Sequence, residues 1–284
     1  MIKTSTVPQQ KRHVGLTNVR VRAINPTRSQ LNKLYGKEDS EDDREFIYKT
    51  ADRQGSDRIR LNIWLYSEDL DKYVMHTIGI VNRPKTSSDG TKFQYINSTC
   101  NTTWVEKEED LPEWFTHFTD KEGNKTAKKD YRVAFIGEEE LAIFLRSWLK
   151  MKWFHSETYV MPSIESLMNE DYSELQDLID SPYDKGFTAL LGVRVDQNDN
   201  EKDYQSIYGK SFLPYNFKDY VETGKFPSTY DQSTWTRFEK EVKGEYGFNG
   251  SYFELVPVTE YDRSKDLARS TTTKVGVTST NSKY

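Results

Sequence analysis

The run Arg58-Ile-Arg-Leu-Asn-Ile-Trp-Leu-Tyr66 alternates strictly, and that pattern restricts what the chain can fold into more than any other feature. Successive strand side chains point to opposite sides, so Ile59, Leu61, Ile63 and Leu65 share one face of a strand. Arg58, Arg60, Asn62, Trp64 and Tyr66 share the other. The first face is an ordinary core face. The second mixes guanidinium groups with large rings, which a solvated face seldom does. Cations suit phosphates and flat rings suit unstacked bases, so this face fits a platform for single-stranded nucleic acid. The competing reading is a strand buried on both faces, with Trp64 and Tyr66 in a second core layer.

Other strands repeat the pattern. Gly15 to Ile24 sets Val19, Val21 and Ala23 against Asn18, Arg20 and Arg22, and then stops at Asn25-Pro26. Thr27 is placed to cap a short helix, Arg28 to Tyr35. After the acidic run Glu38 to Glu45 come the Arg58 strand, a strand Tyr73 to Asn82, and a strand Lys92 to Thr103, which read together as an antiparallel meander. Arg83 and Lys85 sit at its hairpin, and Phe93 and Tyr95 share a side. Further on, Asp203 to Leu213 puts Tyr204, Tyr208, Lys210 and Phe212 together on one side.

Between these strands the spacing predicts two helices. The first runs from about Glu138 to Trp153, with Leu141, Phe144, Leu145, Trp148 and Leu149 as its apolar stripe. Its leading Glu138, Glu139 and Glu140 lie at the positive end of the helix dipole, which accounts for them without catalysis. The second, about Ser163 to Ile179, is more acidic. A strand Thr188 to Val195, a helix Trp235 to Tyr246 and a strand Tyr252 to Val258 follow.

The expected fold class is therefore α+β: a β-rich, OB-like antiparallel barrel with inserted helices and flexible termini. Residues 1–13 read as a flexible basic arm carrying Lys3, Lys11 and Arg12. Residues 14–262 read as a composite core with the helical insertion at about 138–180. Residues 263–284 read as a disordered Ser/Thr/Lys-rich tail. In 284 residues an aromatic share of 13% argues against disorder throughout, and a net charge of −5 still allows a local basic groove.

Enzyme chemistry finds little purchase. There is no Walker or dinucleotide glycine loop, no Ser/His/Asp elbow and no His-x-x-x-His motif. The acidic runs Glu38 to Asp43 and Glu106 to Asp110 read as solvated loops in preference to a two-metal nuclease. Asp196-x-Asn198-x-Asn200 starts like a calcium loop, but it lacks the glycine and ends on Ile207 in place of glutamate. Cys100 is the single cysteine and reads as a buried strand residue; with four scattered histidines it shows no metal-ligand spacing. No cofactor is expected. With no signal-like N-terminus and no membrane-length run, the expected location is the cytoplasm.

Three segments carry a resemblance: Val14-Gly-Leu-Thr-Asn-Val-Arg-Val-Arg-Ala-Ile-Asn-Pro-Thr27, Ser88-Asp-Gly-Thr-Lys-Phe-Gln-Tyr95, and Gly137-Glu-Glu-Glu-Leu141. They resemble a conserved protein of crAss-like and related tailed phages. In layout the chain is also similar to the helix-destabilising single-stranded DNA-binding proteins of large phages, with a basic arm, an interrupted OB-fold core and a tail. The resemblance implies a non-enzymatic protein that coats and protects single-stranded DNA in replication or recombination, in the host cytoplasm, with self-association through the N-terminal arm. Two departures stand against it. This chain cannot build the Cys/His zinc site of the best-known members, and its tail is basic where many are acidic. The competing expectation is a phage virion component, structural or packaged, with a β-sandwich domain. The expected nucleic-acid contacts are Arg20, Arg22, Arg58, Arg60, Trp64, Tyr66, Arg83, Lys85, Phe93, Tyr95, Tyr204, Tyr208, Lys210 and Phe212.

Overall fold

The structure is a computed structural model that describes residues 11–41, 43–97, 100–128, 131–149, 161–195, 203–209, 213–214, 217–225, 232–245 and 251–262. The basic arm before residue 11, the tail from residue 263, Lys210 and Phe212 lie outside the described residues. The described elements begin with strand β1 (His13–Ile24), helix α1 (Arg28–Leu34) and strands β2 (Lys49–Ala51), β3 (Asp57–Ser67), β4 (Lys72–Pro84), β5 (Phe93–Asn97) and β6 (Thr102–Val105). Then come α2 (Glu113–Thr116), β7 (His117–Thr119), β8 (Lys125–Ala127), β9 (Tyr131–Val133), β10 (Phe135–Ile136) and helices α3 (Glu138–Trp148), α4 (Ile164–Met168) and α5 (Ser173–Gln176). The last are β11 (Phe187–Val195), β12 (Asp203–Ile207), β13 (Leu213–Pro214), α6 (Lys218–Thr223), α7 (Gln232–Glu245), β14 (Ser251–Phe253) and β15 (Thr259–Glu260).

The chain divides into two compact units, one holding Asn18–Ala189 and Gly209–Phe217, the other Met1–Thr17, Leu190–Tyr208 and Lys218–Tyr284. The larger unit is built on an antiparallel sheet in the order β10-β4-β3-β1. The alternation in β3 works as the sequence predicts on its core side. Ile59, Leu61, Ile63 and Leu65 are all buried, and so are Val74, His76, Ile78 and Ile80 on β4. Helix α4 packs on β3 and α3 packs on β4.

One edge of β3 is shared by two strands in succession. β1 pairs with residues 63–67 of β3 and β2 pairs with residues 57–59. Between them Asn25, in the left-handed region at φ 43°, accepts the Asn62 N–H through Oδ1 at 2.7 Å and donates its own N–H to Asn62 O at 2.9 Å. Arg60 N–H then reaches Tyr48 O at 2.9 Å. The chain thus leaves a strand lane at Asn25, makes an excursion through α1, and re-enters the same lane at Tyr48. Helix α1 starts at a full capping box, with Thr27 Oγ1 accepting from Gln30 N–H and Gln30 Oε1 accepting from Thr27 N–H at 2.8 Å. Leu31 of α1 buries against Ala23 and Trp64, with Leu34, Phe46 and Tyr73 packed around them.

Helix α3 is tied down at its first turn. Gly137, at φ 91°, is its N-cap, and an added Cβ there would overlap the Gly79 carbonyl. The next three glutamates each reach a different anchor. Glu138, wholly buried, takes two bonds from Arg132, at 2.8 and 2.5 Å, and one from Phe135 N–H at 2.7 Å. Glu139 pairs with Lys85 at 2.6 Å, and Glu140 lies 3.2 Å from His76 Nε2. The dipole explains why acids stand here, and the three pairs explain why there are three of them.

Several expected elements are shorter. The helix foreseen over 163–179 breaks into α4 and α5, because Glu170 turns left-handed at φ 59° and the Asp171 carboxylate accepts Ser173 N–H at 3.0 Å, starting a new turn. The strand foreseen over 92–103 breaks at Cys100, which takes φ 58° and sits in a buried turn between β5 and β6. Burial pushes its thiol up to about 12. Thiol reagents at pH 8 are therefore expected to leave the native protein unlabelled while modifying the urea-unfolded chain fully. Prompt stoichiometric labelling of the native protein would show this burial to be wrong.

The sheets are open, and the expected OB-like barrel is not closed among the described residues. The partner strand β10 covers only the Val81–Pro84 end of β4, while β6, β5 and β9 form a separate sheet and β7 pairs β8 alone. A second buried cluster, Tyr95, Val105 and Phe115, lies under that separate sheet.

In the smaller unit β11 is flanked by β12 and β14, and β15 pairs with His13 and Val14 of β1. Helix α7 packs on β14. Its core is aromatic: Tyr208 meets Phe238 and Phe253 edge-on at 5.7 and 5.4 Å, and Trp235 lies 5.6 Å from Phe238. Arg12 and His13, read from the sequence as part of a free arm, are docked. Arg12 Nε donates to Asp203 Oδ1 at 2.9 Å, and His13 N–H donates to Gln205 Oε1 at 2.9 Å.

Candidate nucleic-acid interface

The face of β3 and β4 turned away from the core residues is organised in rows. Arg58 stands opposite Val81, Arg60 opposite Gly79, Asn62 opposite Thr77, Trp64 opposite Met75, and Tyr66 opposite Tyr73. The α1 excursion covers this face from the β1 side, over Trp64. What it leaves uncovered is a lane that runs from Arg58 and Arg60, past Asn62, Thr77 and Met75, to Tyr66 and Tyr73. Arg60 and Thr77 are exposed, and Met75 is 45% exposed. Tyr66 is six positions beyond Arg60, a span of about 20 Å at strand rise. At its far end Tyr73 meets Tyr66 and Tyr35 edge-on, at 5.5 and 5.2 Å. The Tyr66 hydroxyl donates to the Asp71 carboxylate, and that bond holds the phenol above its usual range.

The basic residues divide into two groups. Arg20 pairs with Glu68 at 3.1 Å, Arg22 with Asp180 at 2.6 Å, Arg83 with Asp52 at 3.2 Å, and Lys85 with Glu139 at 2.6 Å. An incoming phosphate would compete with a carboxylate at each of these four. Arg58 and Arg60 form no ion pair among the described residues. Gly79 matters to this arrangement, since it is a strand-interior glycine whose missing side chain makes room for Arg58. A Cβ at Gly79 would stand 2.8 Å from the Arg58 Nη2. Asp52 sits beside this end, held below the usual carboxylate range first by the Ser56 N–H and then by Gln54 N–H, with Arg83 and Arg58 adding attraction.

The rings divide as well. Trp64 is only 7% exposed and belongs to the core cluster under α1, so it offers no face to a base. The expectation that it stacks on nucleotides is corrected by the excursion that covers it. Tyr95 is buried with Val105 and Phe115, and Tyr208 with Phe238 and Phe253. Neither is open to a base. Phe93, by contrast, is 37% exposed and Tyr204 is 50% exposed.

Three features escaped the sequence reading. Tyr73, Met75 and Thr77 complete the lane from β4, and their alternation against Val74, His76 and Ile78 was the signal for it. Asn62 and Thr77 are joined by a side-chain hydrogen bond of 2.9 Å. In the smaller unit Arg194 stands directly opposite Tyr204, exposed, with no ion pair among the described residues. Its strand parity, opposite to that of the buried Val193, marked it as outward-facing.

No known protein family, curated protein or solved structure matches the chain. Among the described residues no cluster of His, Cys, Asp or Glu could hold a metal ion, and no helix is long and apolar enough to cross a membrane. A cavity of about 710 Å³ in the larger unit, lined by Tyr131, Phe135, Lys49 and Arg132 among others, is a weaker phosphate site than the lane. Its cations are engaged: Lys49 with Asp57 at 3.1 Å and with Met168 O at 2.8 Å, and Arg132 with Glu138.

Proposed function

We propose that this chain is a non-enzymatic single-stranded nucleic-acid-binding protein, and that the strand lies along the lane on β3 and β4. One observation carries the reading: the two arginines at the head of the lane form no ion pair among the described residues, while the other four basic candidates described, Arg20, Arg22, Arg83 and Lys85, each do. Phosphates would be held at Arg58 and Arg60, and bases would run over Met75 toward Tyr66 and Tyr73. The open sheet would then serve as the platform that an OB-like barrel presents in other binders. Arg194 and Tyr204 would supply a second cation–ring contact within the smaller unit. The layout that resembles phage helix-destabilising proteins supports DNA as the ligand and a protective role in replication or recombination in the host cytoplasm.

The test is anisotropy of a labelled oligo(dT) titrated with protein over a range of salt. Binding is expected to weaken with salt, and the Arg58→Ala/Arg60→Ala double variant to show a log–log slope shallower by about 0.7 for each phosphate the two arginines neutralise. An unchanged slope would remove both arginines from the site. No binding even at low salt would overturn the reading and favour a virion component.

A further inference from the structure

Gly79 stands inside β4, between the buried Ile78 and Ile80 and directly opposite Arg60 on β3. Its φ lies outside the left-handed region, so the backbone itself does not call for glycine. A glycine in a strand interior weakens the strand, and it often marks a place that another group approaches closely. Here the approaching group is a side chain. A Cβ at Gly79 would have Arg58 Nη2 at 2.8 Å, Nε at 3.2 Å and Cζ at 3.5 Å as its three nearest neighbours.

The Arg58 backbone is one row away, opposite Val81. Its guanidinium therefore reaches diagonally across the ladder from β3 to β4, a separation that a long side chain spans. It comes to rest beside Gly79, on the row that Arg60 shares. Room keeps it there more than bonding does. Arg58 forms no ion pair among the described residues, and its buried Nε makes no hydrogen bond among them. Asp52 adds attraction from nearby. Any other residue at position 79 would carry a Cβ into the space the guanidinium fills.

We propose that Gly79 is a positioning residue of the lane: its missing side chain seats the Arg58 guanidinium on the row of Arg60 and gathers two positive charges there. The proposal rests on the lane being the binding surface. A phosphate over that row would meet both arginines, and with Arg58 displaced it would be left to Arg60. The tip of an arginine can move aside at little cost, so Gly79→Ala is expected to fold. Its Tm should equal or exceed that of the wild type, because alanine leaves the unfolded chain less freedom than glycine does.

The experiment measures Tm and the salt dependence of oligo(dT) anisotropy for the wild type, Gly79→Ala, Arg58→Ala and the double variant. Gly79→Ala is expected to weaken binding and to make the log–log slope shallower by about 0.7, as Arg58→Ala does. The two losses should not add in the double variant, since both act through one guanidinium. A Tm loss in Gly79→Ala that is relieved in the double variant would support the seat as well. Gly79→Ala that binds like the wild type, beside a weakened Arg58→Ala, would overturn the role of Gly79 and leave the lane standing. Losses that add would overturn it too, because the methyl would then act on something other than Arg58. So would a Tm loss that persists in the double variant, where the sheet itself would be what needs the glycine. Arg58→Ala that binds like the wild type would overturn the seat. A wild type that binds no oligo(dT) even at low salt would overturn the lane, and this inference with it.

Discussion

Trp64→Ala is expected to destabilise the larger unit by about 3–5 kcal/mol, the usual cost of emptying a buried tryptophan site. For a unit of this size that is a fall of about 6–20 °C in Tm. The indole is 7% exposed and fills the space between Ala23 on β1 and Leu31 on α1. Removing it leaves a cavity that only movement of α1 could close. Oligonucleotide affinity of the folded fraction should change little, because the ring faces α1 and not the lane. The opposite pattern is what a stacking residue would give: an unaltered Tm with binding weaker by about 1–3 kcal/mol per base. That pattern would place Trp64 at the surface.

Gly137→Ala is expected to have the larger effect. An L-residue at φ 91° is strained by about 1–2 kcal/mol on backbone grounds alone. The added methyl would also overlap the Gly79 carbonyl, an atom of the sheet backbone that cannot swing aside as a side chain would. Relief requires lifting the start of α3 from β4. That movement would pull the Glu138 carboxylate from Arg132 and the Phe135 N–H, leaving a buried charge without partners, at a cost of about 3–5 kcal/mol. Thermal or urea unfolding should show a loss of at least about 3 kcal/mol, or no cooperative transition for the larger unit. A variant within a degree or two of the wild type in Tm would mean that the N-cap is far more plastic than its geometry indicates.

Much of the sheet was legible because strand alternation is a local property. Ile59, Leu61, Ile63 and Leu65 declared the core face of β3, and Thr27 declared the start of α1. What β3 could not declare was which part of its second face would be covered. Trp64 and Tyr66 look alike in the sequence. One is buried and the other borders the lane only because α1 brings Leu31 and Leu34 over the first. An apolar stripe on a short helix needs a partner, and that was the available signal.

The fate of the arginines was less accessible still. Arg20 finds Glu68 across 48 positions and Arg22 finds Asp180 across 158. No spacing rule connects residues that far apart, so the four cations in ion pairs and the two outside them look the same along the chain. Tyr95 and Tyr208 failed as candidates for a related reason. Strand parity gives the side on which a ring lies, and tertiary packing decides whether that side sees water.

The shared lane on the edge of β3 has a bearing on chain length. The excursion leaves the ladder at Asn25, beside Asn62, and rejoins it at Tyr48, beside Arg60. Its two ends are thus neighbours, about 7 Å apart along β3. Everything between them can lengthen or shorten without shifting the register of a single strand pair, and doubling such a loop costs only about 0.6 kcal/mol in closure entropy. Residues 36–45 are therefore the natural place for an insertion, a tag or a grafted segment.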